Sequence, residues 1–204
     1  TDDYEYTVLD DGSATITQYT GNSSSVSIPS VIDGYTVKSI NGAFFGCDNI
    51  TDITIPDSVI TIGVGTFSHC TNLSSITIGK SVSSIGQDSF SYCDNLSSVN
   101  IKDIGAWCEI RFGDSFGTPS DNPLYYAKNL YLNGDIVTKL TIPDSVTSIS
   151  NYAFIHCDNL SSITIPDSVK SIGSCAFDWC DNLSSVTIPD SVESIGSFAF
   201  GWCS

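Results

Sequence analysis

The stretch that decides the fold is residues 157–180, CDNLSSITIPDSVKSIGSCAFDWC, which residues 181–203 repeat almost letter for letter as DNLSSVTIPDSVESIGSFAFGWC. Each phrase closes on a cysteine, and these cysteines recur every 23 residues in two groups, Cys47, Cys70 and Cys93, then Cys157, Cys180 and Cys203. Phenylalanines recur at the same step at positions 67, 90, 154, 177 and 200. A fixed period of this length is typical of a repeat protein whose units stack on one another.

Composition limits the classes of partner. The 204 residues carry 23 acidic and 7 basic side chains, for a net charge of −16. A nucleic-acid interface must supply cations to the phosphates, and an anionic membrane surface also attracts basic segments, so we expect neither partner. No run of 18 apolar residues predicts membrane insertion. High negative charge favours a soluble monomer. Because the chain starts at Thr1 and contains no methionine, we expect a piece of a longer protein whose secretion signal is out of view.

Within one unit the pattern predicts two extended segments. Ile163 and Ile165 alternate with polar residues, which is typical of a short, half-buried strand. Pro166 ends this strand because it has no N–H to donate, and Val169 and Ile172 then indicate a second extended segment. A glycine recurs at the same place in the repeat and is expected to mark a sharp bend; these glycines are Gly63, Gly86, Gly173 and Gly196. The Ala-Phe pair that follows is expected to form a tight helical turn.

A unit of 23 residues cannot bury its own apolar side chains, so the units must stack into parallel sheets with strands about 4.8 Å apart. The phrase NLSSITIPDSVKSIGSCAFDWC resembles the BspA-type (Treponema pallidum-type) leucine-rich repeat, whose units share the pattern LxxLxLPxxVxxIGxxAFxxC. The resemblance runs from about Val26 to Cys203. It implies a mainly β leucine-rich repeat solenoid, with short parallel strands on a concave face and turns and short helical or 3-10 segments on the convex side.

Two regions depart from the repeat. Residues 1–25 alternate around Asp11-Gly12 and predict an N-terminal β-hairpin cap, followed by the solenoid over residues 26–204. Between Cys93 and Cys157 the spacing exceeds two units, which predicts an irregular inserted repeat at about 102–136. Asn133-Gly134 within it is a strong hairpin turn signal.

The eight cysteines do not predict a disulfide framework. Stacked equivalent cysteines would have parallel Cβ vectors about 5 Å apart, beyond the 3.5–4.5 Å that a bridge requires, so we interpret the columnar ones as small buried hydrophobes. Cys108 and Cys175 lie off the column, where a reactive or paired thiol stays open. The Asn column, which includes Asn72, is expected to form a ladder of buried side-chain amides, leaving Asn22 as an exposed sequon candidate.

Neither metal binding nor catalysis is strongly indicated. His69 and His156 each precede a cysteine, but adjacent ligands cannot easily share one tetrahedral zinc, and the same column elsewhere holds glycine or other aromatics. Recurrent aspartates are interpreted as turn formers, with calcium as the alternative. No nucleophile motif, HExxH or phosphate loop occurs, so we expect no enzyme and no cofactor.

Two surfaces are candidates for binding. The first is the polar face predicted to be concave, whose outward positions are Asp52, Thr54, Ser75, Thr77, Ser98, Asn100, Lys139, Thr141, Ser162, Thr164, Ser185 and Thr187, with Ser75, Thr77, Ser162 and Thr164 as its candidate contacts. The second is the insertion, whose aromatic residues are Trp107, Phe112, Phe116, Tyr125, Tyr126 and Tyr131. We favour the insertion, because Trp and Tyr are enriched at hot spots; the alternative is that these aromatics only pack the insertion onto the solenoid.

The resemblance also implies a role. Proteins with such repeats are mostly surface-exposed or secreted proteins of host-associated bacteria, and several are similar to adhesins that bind host matrix proteins. We therefore expect an extracellular or cell-surface module of a host-associated microbe that binds a host or neighbouring-cell protein or glycan. The alternative is a passive spacer within a longer surface protein, which the near-identity of successive units favours.

Overall fold

The computed structural model describes residues 2–113 and 119–203. Within these residues the helices are α1 (Ile104–Cys108) and α2 (Leu124–Ala127), with a 3-10 turn at Pro119–Asp121. The strands in chain order are β1 (Tyr4–Val8), β2 (Ser13–Tyr19), β3 (Ser25–Ser27), β4 (Val31–Ile32), β5 (Tyr35–Ile40), β6 (Asp52–Thr54), β7 (Thr61–Ile62), β8 (Ser75–Ile78), β9 (Ser84–Ile85), β10 (Ser98–Ile101), β11 (Arg111–Phe112), β12 (Leu130–Leu132), β13 (Asp135–Ile136), β14 (Lys139–Thr141), β15 (Ser148–Ile149), β16 (Ser162–Thr164), β17 (Ser171–Ile172), β18 (Val186–Thr187) and β19 (Ser194–Ile195).

Each coil contributes one strand to each of two parallel sheets, which confirms the predicted solenoid. In the coil of β8 and β9, Ile76 pairs in register with Ile53 of the preceding coil and Val99 of the next. Ile85 likewise pairs with Ile62. We call the sheet of β3, β6, β8, β10, β12, β14, β16 and β18 the first-strand sheet, and that of β2, β5, β7, β9, β11, β15, β17 and β19 the second-strand sheet. Both sheets are interrupted at the insertion.

The third side of each coil, between its second strand and the next first strand, consists of turns. The predicted helical turn at the Ala-Phe pair is instead a pair of turns with two residues per coil in the left-handed region. Their φ values lie between 50° and 68°, at Gly42, Gly65, Asp88, Tyr152, Cys175 and Phe198 in one column, and at Gly46, His69, Tyr92, His156, Trp179 and Trp202 in the other. Backbone bonds join neighbouring coils here, as from Phe67 N–H to the Ser89 carbonyl.

The core is built from columns of identical side chains. The Phe177 ring stacks between Phe154 and Phe200, with ring centroids 5.2 and 5.3 Å away. Beside the rings, columnar thiols donate to backbone carbonyls of the preceding coil, as from Cys70 Sγ to the Phe44 carbonyl at 3.0 Å and from Cys180 Sγ to the Phe154 carbonyl at 3.3 Å. All eight cysteines are free, which agrees with the predicted absence of bridges along the column.

The repeated glycine is required by close approach between coils. At Gly173 an added Cβ would lie 2.4 Å from the backbone nitrogen of Asn151, and at Gly196 it would lie 2.3 Å from that of Ser174. The predicted reason, a sharp bend, was incomplete: none of the four repeat glycines has a positive φ. A side chain at this position would push the coils apart.

β1 and β2 form an N-terminal hairpin that is part of the stack. β1 pairs antiparallel with β2 around a turn in which Gly12 has φ +75°. β2 in turn pairs in parallel with β5, so the second strand of the hairpin is the first rung of the second-strand sheet. Tyr4 and Tyr19 cover the end of the phenylalanine column, where Tyr19 stacks on Phe44 at 5.1 Å.

The insertion replaces one corner of a coil with α1 and adds a second hairpin. Asp103 caps α1 by accepting a hydrogen bond from the Ala106 N–H. β12 and β13 form the hairpin predicted at Asn133-Gly134, where both residues have positive φ. Among residues 2–113 and 119–203 no helix is long and apolar enough to span a bilayer.

Candidate functional site

Two of the predicted insertion aromatics are core residues. The Trp107 side chain is 1% exposed, and its Nε1 donates to the Ala153 carbonyl at 2.7 Å. The Phe112 ring meets Trp107 edge-on, with centroids 5.5 Å apart, and is also buried. Burial removes Trp107 from direct ligand contact, so the packing alternative describes it better, whereas Phe112 is also among the residues that line a surface groove.

The other insertion aromatics are divided between surfaces. Tyr131 lies on β12, beside Asn100 on the outer face of the first-strand sheet, and is half-buried. Tyr125 is exposed and Tyr126 half-buried on the third side. Phe116 falls outside the described residues. The insertion therefore does not gather its aromatic side chains into one site.

An open groove of 970 Å³ runs along the second-strand sheet from Thr61 to Gly196. Phe112 is the predicted contact that lines it, and the predicted contacts on the first-strand sheet do not: Ser75, Thr77, Ser162 and Thr164. These four lie on the outer face of the first-strand sheet. The groove therefore lies over the other sheet from the face predicted to bind, because both strands of a coil alternate in the same way and the sequence pattern does not tell which sheet lines a groove.

The groove contains one charged side chain among its described lining residues, the exposed Arg111. The other described lining positions are hydroxyl, amide, glycine and aliphatic residues and the aromatic Phe112, with no carboxylate. Arg111 is the chain's only arginine, and the insertion places it there by aligning β11 with β9, Arg111 beside Ser84. Hydroxyls and a guanidinium can hold an extended ligand that carries an acidic group.

Side chains of the aspartate and asparagine columns form hydrogen bonds with the backbone of neighbouring coils. Asp48 accepts hydrogen bonds from the Thr71 hydroxyl at 2.6 Å and the Thr71 N–H at 3.2 Å, and these bonds lower its pKa. The Asn72 amide donates to the Asp48 carbonyl at 2.7 Å, so the predicted ladder exists, although Asn72 is exposed rather than buried. Across the described ranges, no three His, Cys, Asp or Glu side chains cluster closely enough to hold a metal ion.

The residues that precede the columnar cysteines form a feature that the sequence reasoning missed. His69 stacks on Tyr92 at 4.3 Å, and Trp179 stacks between His156 and Trp202 at 5.5 and 5.3 Å. The sequence does show aromatic residues at this position in most units, but the glycine in the same column led to the interpretation that the position tolerates any residue. We call Phe45, His69, Tyr92, Tyr125, His156, Trp179 and Trp202 the aromatic stripe.

Comparison with known proteins agrees with this geometry. The chain is similar to a leucine-rich repeat protein of T. pallidum, at 27% identity over 96% of this chain and 84% of that one, with a TM-score of 0.62. It is similar to a leucine-rich cell surface protein of Faecalibacterium prausnitzii, at 29% identity over 100% of this chain and 51% of that one, with a TM-score of 0.61. A leucine-rich repeat protein of Bacteroides ovatus is 28% identical over 98% of this chain and 50% of its own, with a TM-score of 0.62.

This chain therefore spans about half the length of the F. prausnitzii and B. ovatus proteins. A search of curated proteins found no match. The sequence profile of the BspA type Leucine rich repeat region matches six copies, over residues 14–108 and 127–204. The first match starts inside β2, in agreement with the position of that strand as a rung of the stack. The chain belongs to the BspA-type leucine-rich repeat family.

Proposed function

We propose that this protein is a cell-surface recognition module that holds an extended, acidic segment of a partner protein in the groove of its second-strand sheet. The observation that carries the proposal is Arg111, the one cation in a groove whose described lining holds no carboxylate, on a chain of net charge −16. A guanidinium with no carboxylate beside it in the described groove lining is available to a carboxylate from outside, which it can bind through two parallel hydrogen bonds.

The scaffold supports this role. Leucine-rich repeat coils are typical of interaction proteins, and a solenoid offers its partner an extended surface. The similar F. prausnitzii protein is named a cell surface protein, which supports a surface location here. Adhesion of a microbe to a host or neighbouring cell is the biological setting that we propose. The groove also gives the insertion a place in binding, through Arg111 rather than through its aromatics.

The competing role is a passive spacer, which the near-identity of residues 157–180 and 181–203 favours. Binding of the full chain to an array of host matrix proteins and to acidic peptides separates the two. The test compares Arg111→Glu with Lys139→Glu, an equally exposed cation on the first-strand sheet. We expect Arg111→Glu to weaken binding at least about tenfold, because it replaces attraction to the ligand carboxylate by repulsion between like charges, and Lys139→Glu to change it little.

Equal losses in both variants would mean that net charge alone drives binding. Preference for acidic glycans over acidic peptides would replace the proposed partner class. No binding in any arm, with folding verified by circular dichroism, would favour the spacer.

A further inference from the structure

The aromatic stripe is a second exposed surface, on the third side of the solenoid, and it shares no residue with the groove lining. Tyr92 is 59% exposed and Trp202 68% exposed, while Phe45, His69 and Trp179 are also exposed. Their rings continue from coil to coil at about the coil spacing, which makes one apolar band instead of scattered side chains. Contiguous exposed aromatic surface of this kind marks an interaction site.

The backbone beneath the stripe argues for selection of these rings. His69, Tyr92, His156, Trp179 and Trp202 all have φ between 50° and 63°, where a side chain costs about 1–2 kcal/mol relative to glycine. The first coil has glycine at the same place, Gly46, so the fold does not need a ring there. Exposed aromatic residues that are kept in an unfavourable conformation, where glycine suffices for folding, point to a function for the rings.

The insertion supplies aromatic rings to the stripe where the regular repeat is interrupted. Between the coils of Tyr92 and His156, α2 brings Tyr125 and Tyr126 to the third side. The Tyr92 N–H donates to the Tyr126 hydroxyl at 3.3 Å, and the Tyr125 ring meets His156 edge-on at 5.5 Å. The irregular coil between Tyr92 and His156 has no aromatic residue of its own before a columnar cysteine. The α2 segment, whose sequence differs from the repeat, supplies the rings at this level instead.

Carboxylates accompany the rings along the stripe. Asp94, Asp158 and Asp181 each lie two residues after a stripe residue, and Asp48 lies three residues after Phe45. Asp158 Oδ1 lies 3.9 Å from His156 Nδ1, and Asp48 and Asp181 act electrostatically on the stripe histidines. Among the described residues, one lysine lies within ion-pair distance of these aspartates: Lys128 Nζ is 3.8 Å from Asp158 Oδ2. The band is thus apolar at its centre and acidic at its margin.

We propose that the aromatic stripe docks a basic, arginine-bearing segment of a partner protein. Arginine stems cover apolar ring edges while their guanidinium groups reach carboxylates, which suits an aromatic band with an acidic margin. A second copy of this chain fits poorly, because it brings the same charge of −16. An anionic bilayer is disfavoured for the same reason. This surface is independent of the groove around Arg111.

The probe is an octa-arginine peptide, titrated calorimetrically into the full chain at about 150 mM salt, where bulk charge attraction is screened within about 8 Å. The test variant is Tyr92→Asn combined with Trp179→Asn, since asparagine tolerates the left-handed region. The matched control is Phe198→Asn, because Phe198 is 70% exposed and also left-handed, at φ 54°, but lies in the other column outside the stripe. Circular dichroism verifies that each variant is folded.

We expect the double variant to weaken octa-arginine binding at least about tenfold and the control less than about twofold. Asp181→Asn should also weaken binding more than Asp167→Asn, an exposed aspartate in the turn after the first strand. Equal losses in the stripe and control variants, or undiminished binding in the double variant, would overturn the proposal. Tighter binding of a neutral glycan, or self-association lost in the double variant, would assign the stripe to another partner.

Discussion

At the scale of single residues, the thiol column shows how burial and hydrogen bonding keep a cysteine chemically inert. Cys93 and Cys108 are fully buried, and burial raises the pKa of each thiol to about 12. The Cys93 Sγ also donates to the Phe67 carbonyl at 3.1 Å. The reactive or paired thiol left open at Cys108 has no support, because the thiolate is the nucleophile and this site disfavours it. Cys175 is partly exposed.

We expect all eight cysteines to titrate as free thiols when the protein is unfolded without reductant. In the native protein only the partly exposed Cys47, Cys175 and Cys203 should react on a scale of minutes, because the other thiols are buried. A colorimetric thiol reagent measures both counts. Four or fewer reactive groups in the unfolded protein would show that disulfides form.

Phe177→Ala should destabilise the fold by about 3–5 kcal/mol, since it leaves a cavity between two stacked rings. Ser162→Ala, on the outer face of the first-strand sheet, should stay within about 0.5 kcal/mol. Denaturant unfolding measures both free energies. Equal effects would mean that the inside and outside of the coil are assigned wrongly.

Asp178 should make stability depend on pH. Burial raises the pKa of its carboxyl, and its Oδ1 has no hydrogen-bond partner. A raised carboxyl pKa favours the fold while the group is protonated, and this benefit is lost as pH rises through the folded-state value. Asp178→Asn should therefore raise the melting temperature at pH 7, with the gain shrinking toward pH 3, below the ordinary carboxyl pKa of about 3.9. The same gain in Asp167→Asn, at an exposed position, would rule out the burial explanation.

At the scale of elements, the coil is two very short strands joined by turns, and its geometry depends on which positions admit a Cβ. A two-residue strand such as β17 has little stability alone and exists because β15 and β19 flank it in register. At Gly173 and Gly196, just after a second strand, the backbones of neighbouring coils come into close contact because no side chain keeps them apart. An added side chain would therefore separate the coils at Gly173 and Gly196, whereas the left-handed columns admit larger residues.

Gly173→Ala should destabilise by about 1–3 kcal/mol, because the atom that its Cβ would meet belongs to the Asn151 backbone and cannot rotate away. Gly46→Asn should be nearly neutral: an added Cβ meets nothing within 4 Å, and equivalent coils hold larger residues at similar φ. Thermal unfolding of the two variants gives the comparison. A neutral Gly173→Ala would show that the coils separate at little cost.

At the scale of the whole molecule, the insertion joins two stacks of regular coils. The first-strand sheet stops at β12, whose other edge pairs with β13 of the hairpin, and resumes at β14, so few strand hydrogen bonds cross this level. Side chains cross it instead: Trp107 Nε1 donates to the Ala153 carbonyl, and the Asn122 amide donates to the Tyr152 carbonyl at 2.8 Å. In a repeat protein, coupling between neighbours determines whether the stacks unfold together.

Trp107→Phe should weaken that coupling, since it leaves a buried carbonyl poorly satisfied at a cost of about 1–3 kcal/mol. The tryptophans that remain, Trp179 and Trp202, both report on the C-terminal stack. We expect urea unfolding by tryptophan fluorescence and by far-UV circular dichroism to coincide in the wild type and to diverge in this variant. Coincident curves in Trp107→Phe, or equal divergence in the control Trp179→Phe, would contradict the bridging role.

The sequence by itself determined the period, the two extended segments per coil, the buried phenylalanine and cysteine columns, and both hairpins. It could do so because each inward position recurs in several coils, and Asp11-Gly12 and Asn133-Gly134 are local turn signals. Only the tertiary structure decided that the groove lies over the second-strand sheet, because curvature accumulates from small rotations between coils that no single unit encodes. It also decided that Trp107 is core while Arg111 lines the groove, and that the rings before the cysteines align as one stripe. Those outcomes depend on which coil lies beside each residue, and at the insertion the repeat no longer specifies that neighbour.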